Sequence, residues 1–123
     1  MGKKILIAED SSVILNLTRK ILAQQHYEIS SAKDGDELLA KIGNENFDLL
    51  LLDINIPKKD GMECAKEIRA LSDPAKAKMP IFAITGNAKN YSVDDFEAVG
   101  INEYLQKPVN FDELVELTAK YIG

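Results

Sequence analysis

The segment Leu49–Asp53, which reads LLLLD, restricts the possible folds more than any other part of the chain. Four consecutive leucines leave no polar face, a pattern typical of a central β-strand that helices cover on both sides. The run ends in a carboxylate, and a charge at the end of a buried strand is costly unless it has a partner. The segment therefore predicts a parallel sheet with a polar site at the end of its central strand.

Short apolar or alternating segments elsewhere in the chain are separated by helical patterns. The strands predicted besides Leu49–Asp53 are Lys4–Ala8, Glu28–Ala32, Ile81–Thr85 and Glu103–Gln106. The predicted helices are one from Ser11 or Ser12 to about Gln25, Glu37–Ile42, one after Gly61 with Ala65 and Ile68 facing inward, Val93–Val99, and a last one capped by Asn110. Alternating strands and helices with right-handed crossovers predict an α/β fold. We expect a flavodoxin-like, doubly wound (βα)5 three-layer sandwich with a parallel five-stranded sheet in the order 2-1-3-4-5.

The composition restricts the partners and the compartment. With 15 basic and 20 acidic residues the net charge is −5, which disfavours direct binding to nucleic acid. No apolar run approaches the roughly 20 residues that span a bilayer. The single cysteine, Cys64, excludes an internal disulfide and fits a reducing compartment. We therefore expect one domain over residues 1–123 that is cytoplasmic and contacts neither nucleic acid nor membrane.

Charged and polar side chains follow four of the five predicted strands. Glu9 and Asp10 come after the first strand, Asp53 ends the third, Thr85 ends the fourth and Lys107 follows the fifth. In a doubly wound sheet the ligand site lies at the carboxyl ends of the strands, where the winding reverses. We therefore expect these three carboxylates, one hydroxyl and one ammonium to converge on one edge of the sheet.

Three neighbouring carboxylates repel one another unless positive charge offsets them. Lys107 supplies one charge, and a hard divalent cation such as Mg²⁺, which prefers oxygen ligands, would supply the rest. The sequence predicts a magnesium site formed by Glu9, Asp10, Asp53 and the backbone carbonyl of Asn55.

A carboxylate beside such a cation can act as a nucleophile towards a phosphoryl group. Phosphoryl transfer depends mainly on positioning and on neutralising the charge of the phosphoryl oxygens. We predict that Asp53 accepts the phosphoryl group, while the cation, the Lys107 ammonium and the Thr85 hydroxyl bind one phosphoryl oxygen each.

These residues lie in four motifs, ILIAED, LLLLDINIPKKDGME, IFAITG and YLQKPV. With all four in this order, the chain resembles the response-regulator receiver domains of two-component signalling over nearly its whole length. The resemblance implies that Glu9 and Asp10 are the acidic pair of that family and that Asp53 is the phosphoacceptor. It also implies that Thr85 and Lys107 are the switch threonine and the active-site lysine.

The same resemblance implies a cis peptide before Pro108 and a switch in which Thr85 moves towards the phosphate and Tyr104 turns inward. The surface expected to change consists of the helix Val93–Val99, the fifth strand and the last helix. The implied partners are a histidine kinase or a histidine phosphotransfer protein as donor, and a downstream protein as target. A domain of this kind catalyses its own phosphorylation and slow dephosphorylation, so we do not class it as a conventional enzyme. Gly86 departs from the family pattern, which commonly has alanine after the threonine.

Two other functional classes use similar residues. A phosphatase of the haloacid dehalogenase type would require a second aspartate two residues after the nucleophile, where this chain has Asn55. A flavodoxin-like electron carrier would require a hydroxyl-rich phosphate loop after the first strand, where Glu9 and Asp10 would repel the phosphate of the flavin.

Ile14 and Leu15 lie near the acidic edge on the first helix. They are candidates for a surface that docks a histidine-containing donor, and ordinary core packing is the alternative. For the chain itself we expect a monomer or a weak dimer.

Overall fold

The computed structural model describes residues 2–86 and 91–123, and its centre is a five-stranded sheet in which every neighbouring pair is parallel. The strand order is β2-β1-β3-β4-β5, as predicted. The strands are β1 Lys4–Ala8, β2 Glu28–Ala32, β3 Leu49–Asp53, β4 Ile81–Thr85 and β5 Glu103–Gln106. The flavodoxin-like fold class is confirmed.

Helices cover both faces of the sheet and begin at polar residues that cap them. The helices are α1 Ser12–Ala23, α2 Gly35–Asn44, α3 Gly61–Arg69, α4 Pro74–Ala77, α5 Val93–Ala98 and α6 Phe111–Ile122. Each cap side chain accepts a hydrogen bond from a backbone N–H in the first turn, which satisfies a donor that the helix cannot pair internally. The capping residues are Ser11, Asp34, Asp60, Asp73, Ser92 and Asn110.

The prediction of five helices was wrong by one, because the described residues include the short α4 between α3 and β4. Its cap, Asp73, and its first residue, Pro74, are a recognised signal for a helix start. With only four residues and no buried side chain, α4 has no apolar face that periodicity could detect. The helices predicted fourth and fifth are therefore α5 and α6.

The leucines of β3 divide the core into two layers. Leu50 and Leu52 belong to the cluster beneath α2, α3 and α5, whereas Leu49 and Leu51 belong to the cluster beneath α1 and α6. All four side chains are 0% exposed. Burial of a leucine contributes about 1.5–3 kcal/mol, so the central strand anchors both layers.

Helix α1 does not bury all of its regularly spaced apolar side chains. Val13 and Leu17 follow helical spacing, yet they are 75% and 47% exposed, while Thr18 and Leu22 are buried. Thr18 is accommodated because its hydroxyl donates to the Ile14 carbonyl oxygen at 2.8 Å. In the part of the chain that the structure describes, no helix is long and apolar enough to cross a bilayer.

The loop after β3 is held close to the strand end. The Gly61 N–H donates to the Ile54 carbonyl oxygen at 2.9 Å, which returns the chain to start α3. A Cβ at position 61 would lie 2.8 Å from the Ile54 Cα, so only glycine allows this approach. The loop thereby stays beside Asp53.

Candidate functional site

The register of the sheet brings the predicted site residues to one edge. Ala8 lies opposite Leu52, so Glu9 follows β1 next to Asp53 at the end of β3. Asp53 in turn lies opposite Ile84 of β4. The three central strands therefore end at the same level.

The other two predicted residues extend this edge to β5. Thr85 lies opposite Gln106, and Lys107 follows directly after that pair. The Lys107 N–H donates to the Thr85 carbonyl oxygen at 2.8 Å, which continues the ladder beyond the last strand pair. Thr85 is only 1% exposed.

Asp53 is a buried carboxylate held by two donors. Its side chain is 4% exposed. One oxygen, Oδ2, accepts a hydrogen bond from the Lys107 ammonium at 3.0 Å, and Oδ1 accepts one from the Asn55 N–H at 3.0 Å. The two oxygens are therefore oriented by a cation on one side and a backbone dipole on the other.

Glu9 is equally buried and shares the same cation. Its Oε1 lies 3.3 Å from the Lys107 ammonium, and its Oε2 accepts a hydrogen bond from the Ser11 N–H at 3.1 Å. Lys107 thus pairs with both Glu9 and Asp53, and one positive charge serves two buried negative ones.

Burial and the neighbouring charges together shift the pKa values of Glu9 and Lys107. Burial raises the pKa of Glu9, and the charge of Asp53 raises it further, against the lowering effects of the Ser11 N–H and the Lys107 ammonium. For Lys107, burial lowers the pKa, but its hydrogen bond to Asp53 and the charges of Asp53 and Glu9 outweigh burial and raise it overall. The site is therefore short of positive charge.

Asp10 adds a third carboxylate to this group. Side-chain oxygens of Glu9, Asp10 and Asp53 lie within 4.8 Å of one another. Oxygen donors at this spacing, with one lysine to offset them, fit a hard divalent cation. The residues present therefore suit Mg²⁺.

Two further predicted residues, Tyr104 and Pro108, lie on β5 and directly after Lys107. The Lys107–Pro108 peptide is cis. The Tyr104 ring is 40% exposed and stacks on Phe96 of α5, with 5.3 Å between ring centroids. Tyr104 thus joins β5 to α5 on the surface.

An apolar groove of about 430 Å³ opens beside the carboxylates, between α1 and the turn after β5. Ile14, one of the two predicted docking residues, lines it, whereas Leu15 packs against the core beneath. Sequence reasoning missed most of this groove, because the helical spacing of Val13 and Leu17 does not reveal that these side chains are exposed. The residues lining the groove are Val13, Ile14, Leu17, Lys107, Pro108, Val109 and Phe111.

Comparison with known proteins identifies the family. The sequence profile of the response regulator receiver domain matches residues 5–119. The chain belongs to the response regulator receiver family. This assignment decides among the three functional classes that the sequence left open and makes the chain a receiver domain of two-component signal transduction.

Curated relatives include the transcriptional regulatory protein ResD of Bacillus subtilis, 37% identical over 113 residues that cover 91% of this chain and 45% of ResD. The CAI-1 autoinducer sensor kinase/phosphatase CqsS of Vibrio cholerae is 32% identical over 120 residues, which cover 98% of this chain and 17% of CqsS. The chain therefore spans less than half the length of these relatives.

Solved structures of similar domains superpose along almost the whole receiver chain. The chemotaxis response regulator CheY4 of Vibrio cholerae gives a TM-score of 0.88 at 29% identity, covering 99% of this chain and 100% of CheY4. The receiver domain of a sensor histidine kinase from Pseudomonas aeruginosa gives 0.89 at 29% identity, covering 100% of this chain and 99% of that one. That neighbour has a magnesium ion coordinated in its active-site cleft.

Proposed function

We propose that this receiver domain accepts a phosphoryl group on Asp53 from a phosphohistidine of a partner protein and thereby changes a protein-binding surface. The observation that carries the proposal is the state of Asp53, a buried carboxylate held between the Lys107 ammonium and the Asn55 N–H. A nucleophile fixed on both sides needs little reorganisation to react.

In the proposed step, one Asp53 oxygen attacks the phosphorus atom of the donor. An O–P bond forms as the P–N bond to the imidazole breaks, and the imidazole leaves with the bonding electron pair and takes up a proton from the surrounding water. The product is an acyl phosphate on Asp53, and atoms and charges balance when this proton is counted. Slow attack by water on the same phosphorus reverses the modification.

Lys107 and Thr85 stabilise the transferred group. The Lys107 ammonium is bound to Asp53 at 3.0 Å before reaction, so it is already positioned for a phosphoryl oxygen on that carboxylate. Thr85 ends the strand next to β3 and can offer its hydroxyl to another oxygen. Lys107 by its charge and Thr85 by a hydrogen bond would stabilise the negative charge that develops on these oxygens.

Glu9, Asp10, Asp53 and the carbonyl of Asn55 are the residues that would hold Mg²⁺. A bound cation supplies positive charge to the phosphoryl oxygens, which a single lysine cannot do alone. The pairing of two buried carboxylates with one ammonium supports this assignment.

The donor is proposed to dock on the groove beside Asp53. Because Asp53 is almost fully buried, a protein that presents an imidazole to it must cover the surrounding surface. That surface includes the exposed side chains of Val13 and Leu17. A histidine kinase or a histidine phosphotransfer protein with an apolar helical face would bury them.

The downstream effect is proposed to pass through Thr85 and Tyr104 to the face formed by α5, β5 and α6. Tyr104 is exposed and stacked on Phe96, so a turn of this ring would alter a surface that a target protein can contact. The buried free thiol of Cys64 supports a reducing, cytoplasmic location for this function.

The test of the proposal is the intact mass of the protein after reaction with phosphoramidate, a small donor with a P–N bond, with and without Mg²⁺. We expect one phosphoryl adduct that requires Mg²⁺ and is absent in Asp53→Asn. Asp36→Asn, which removes an exposed carboxylate on α2, should react like the wild type. An adduct that persists in Asp53→Asn would refute the assignment.

The docking surface has its own test. Val13→Ser and Leu17→Ser should slow phosphotransfer from a phosphorylated histidine kinase but leave the reaction with phosphoramidate unchanged. Leu71→Ser is the matched control, because Leu71 is 38% exposed and lies outside the groove. Equal slowing with both donors would mean that the substitutions disturb the site rather than docking.

A further inference from the structure

Arg69, the last residue of α3, uses all five of its guanidinium N–H groups. Nε and Nη2 donate to the Gly100 carbonyl oxygen at 3.0 and 2.6 Å. Nη1 donates to the carbonyl oxygens of Ala77 and Met79 at 2.8 and 2.7 Å. The remaining Nη2 bond goes to Asn102 Oδ1 at 3.0 Å. One side chain thereby joins the ends of four elements.

The acceptors lie where β4 and β5 begin. Ala77 and Met79 lead from α4 into β4, and Gly100 and Asn102 lead from α5 into β5. Asn102 also binds Ile81, the first residue of β4, through its Oδ1 and its N–H. The guanidinium therefore ties the carboxyl end of α5 to the amino ends of two strands.

The backbone at Gly100 is shaped to receive the guanidinium. Gly100 has φ of 82°, a left-handed conformation that favours glycine. A Cβ there would lie 2.6 Å from the Arg69 Nε. The turn that ends α5 and the space for Arg69 thus depend on the same residue.

The Arg69 guanidinium places a positive charge at the carboxyl end of α5, where the helix has no basic residue of its own. Helix α5 has no basic residue in its last turn, where a positive charge would favour the helix dipole. In residues 2–86 and 91–123 the ion pairs do not include Arg69. Its positive charge is therefore stabilised by backbone carbonyls and one side-chain amide. The interaction is specific to the position of these carbonyls.

The two ends of α5 are held in different ways. At the amino end, Ser92 and Asp95 hydrogen bond to each other in a local capping box. At the carboxyl end, Arg69 bonds to a residue 31 positions further along the chain. The long-range bonds fix one end to the protein body, whereas the capping box joins residues of the helix start only to each other.

We propose that Arg69 clamps the carboxyl end of α5, so that any movement of the α5–β5 face turns about this fixed end. The clamp is a property of the resting structure, while the movement rests on the proposed function. The amino end of α5, which follows Thr85 in the chain, would move most, together with Tyr104.

Amide hydrogen exchange followed by NMR tests the clamp without phosphorylation. The amides of Gly100, Ile101 and Asn102 are hydrogen bonded, so their exchange reports opening of this end. In Arg69→Met we expect them to exchange at least about tenfold faster. Arg19→Met, which removes the guanidinium bonded to Ser31, should leave them unchanged. Unchanged exchange in Arg69→Met would overturn the clamp.

Arg69→Lys separates geometry from charge and serves if the methionine variant does not fold. Lysine keeps the charge but offers three donors on a flexible stem, so we expect exchange to remain fast. Wild-type protection in Arg69→Lys would mean that charge alone holds the helix end, which contradicts the clamp.

The turning movement is tested with beryllofluoride and Mg²⁺, which mimic the phosphoryl group. We expect larger amide shift changes at 92–96 and at Tyr104 than at 100–102. Equal changes at both ends would overturn the movement and leave the exchange result standing. Bound beryllofluoride with no change at either end would refute the proposed switch and the movement with it.

Discussion

Two regions at opposite ends of the sheet hold charged side chains in opposite ways. At the amino ends of β4 and β5, all five N–H groups of Arg69 are hydrogen bonded, to four acceptor oxygens. At the carboxyl ends, Glu9 and Asp53 share the single ammonium of Lys107. In the first region every donor of the charged group is hydrogen bonded. In the second region there is less positive than negative charge.

The difference separates structural from functional charge. A buried charge whose bonds are all satisfied rigidifies the parts that it joins. Buried carboxylates without enough neighbouring positive charge are harder to ionise, and a cation that binds beside them stabilises their ionised form. We infer that the carboxyl edge is built for ligands and that the Arg69 junction is built for rigidity.

The largest expected effect on stability is at the Arg69 junction. Arg69→Met should lower the free energy of unfolding by about 3 kcal/mol, because it leaves several carbonyls without their donor. Urea denaturation in metal-free buffer measures the loss. Arg19→Met is the control and should cost less than about 1 kcal/mol. Equal losses would mean that Arg69 is not a special junction.

A smaller effect is expected at the site lysine. Lys107→Met should cost about 2 kcal/mol at pH 7 without metal, since two buried carboxylates lose their shared cation. The loss should shrink at pH 4, because Glu9, whose pKa is raised, is then protonated. Urea denaturation at both pH values measures this. A loss independent of pH would contradict the shared-cation account.

Removing the Glu9 carboxylate should raise the free energy of unfolding rather than lower it. Because the pKa of Glu9 is raised in the folded state, its contribution to stability is fully present below the ordinary glutamate pKa of 4.5. That contribution is lost as the pH rises through the folded pKa. Glu9→Gln should therefore gain up to about 1 kcal/mol at pH 7 without metal. Destabilisation of Glu9→Gln relative to the wild type at this pH would refute the repulsion.

The smallest effect concerns a buried group that carries no charge. Burial raises the pKa of Cys64 to about 11, so only about one thiol in a thousand is ionised at pH 8. We expect an aromatic disulfide reagent to label Cys64 slowly in the native protein and readily in urea. Rapid native labelling would show that the core beneath α3 opens.

The sheet was predictable from sequence because each strand is a short segment bounded by charge or turn residues. The predicted bounds of all five strands agree with the structure. The convergence of Glu9, Asp53 and Lys107 then follows from strand order alone. Their shared hydrogen bonds do not follow, because they depend on side-chain conformations that no pattern encodes.

Features made by single side chains could not be predicted. Arg69 was not singled out, because its acceptors are carbonyls 8 to 31 residues away whose positions depend on the finished fold. Helix α4 was missed because it buries no side chain. The exposure of Val13 was not predicted, since helical spacing does not reveal which side of a helix faces the sheet.

The most direct test of the carboxyl edge is a Mg²⁺ titration of the free energy of unfolding. The wild type should gain stability with Mg²⁺ according to the binding relation for a ligand of the native state. Asp10→Asn should be at least as stable without metal but should lose most of this gain, while Asp36→Asn should keep it. Equal gains in all three proteins, or none in the wild type, would contradict the account.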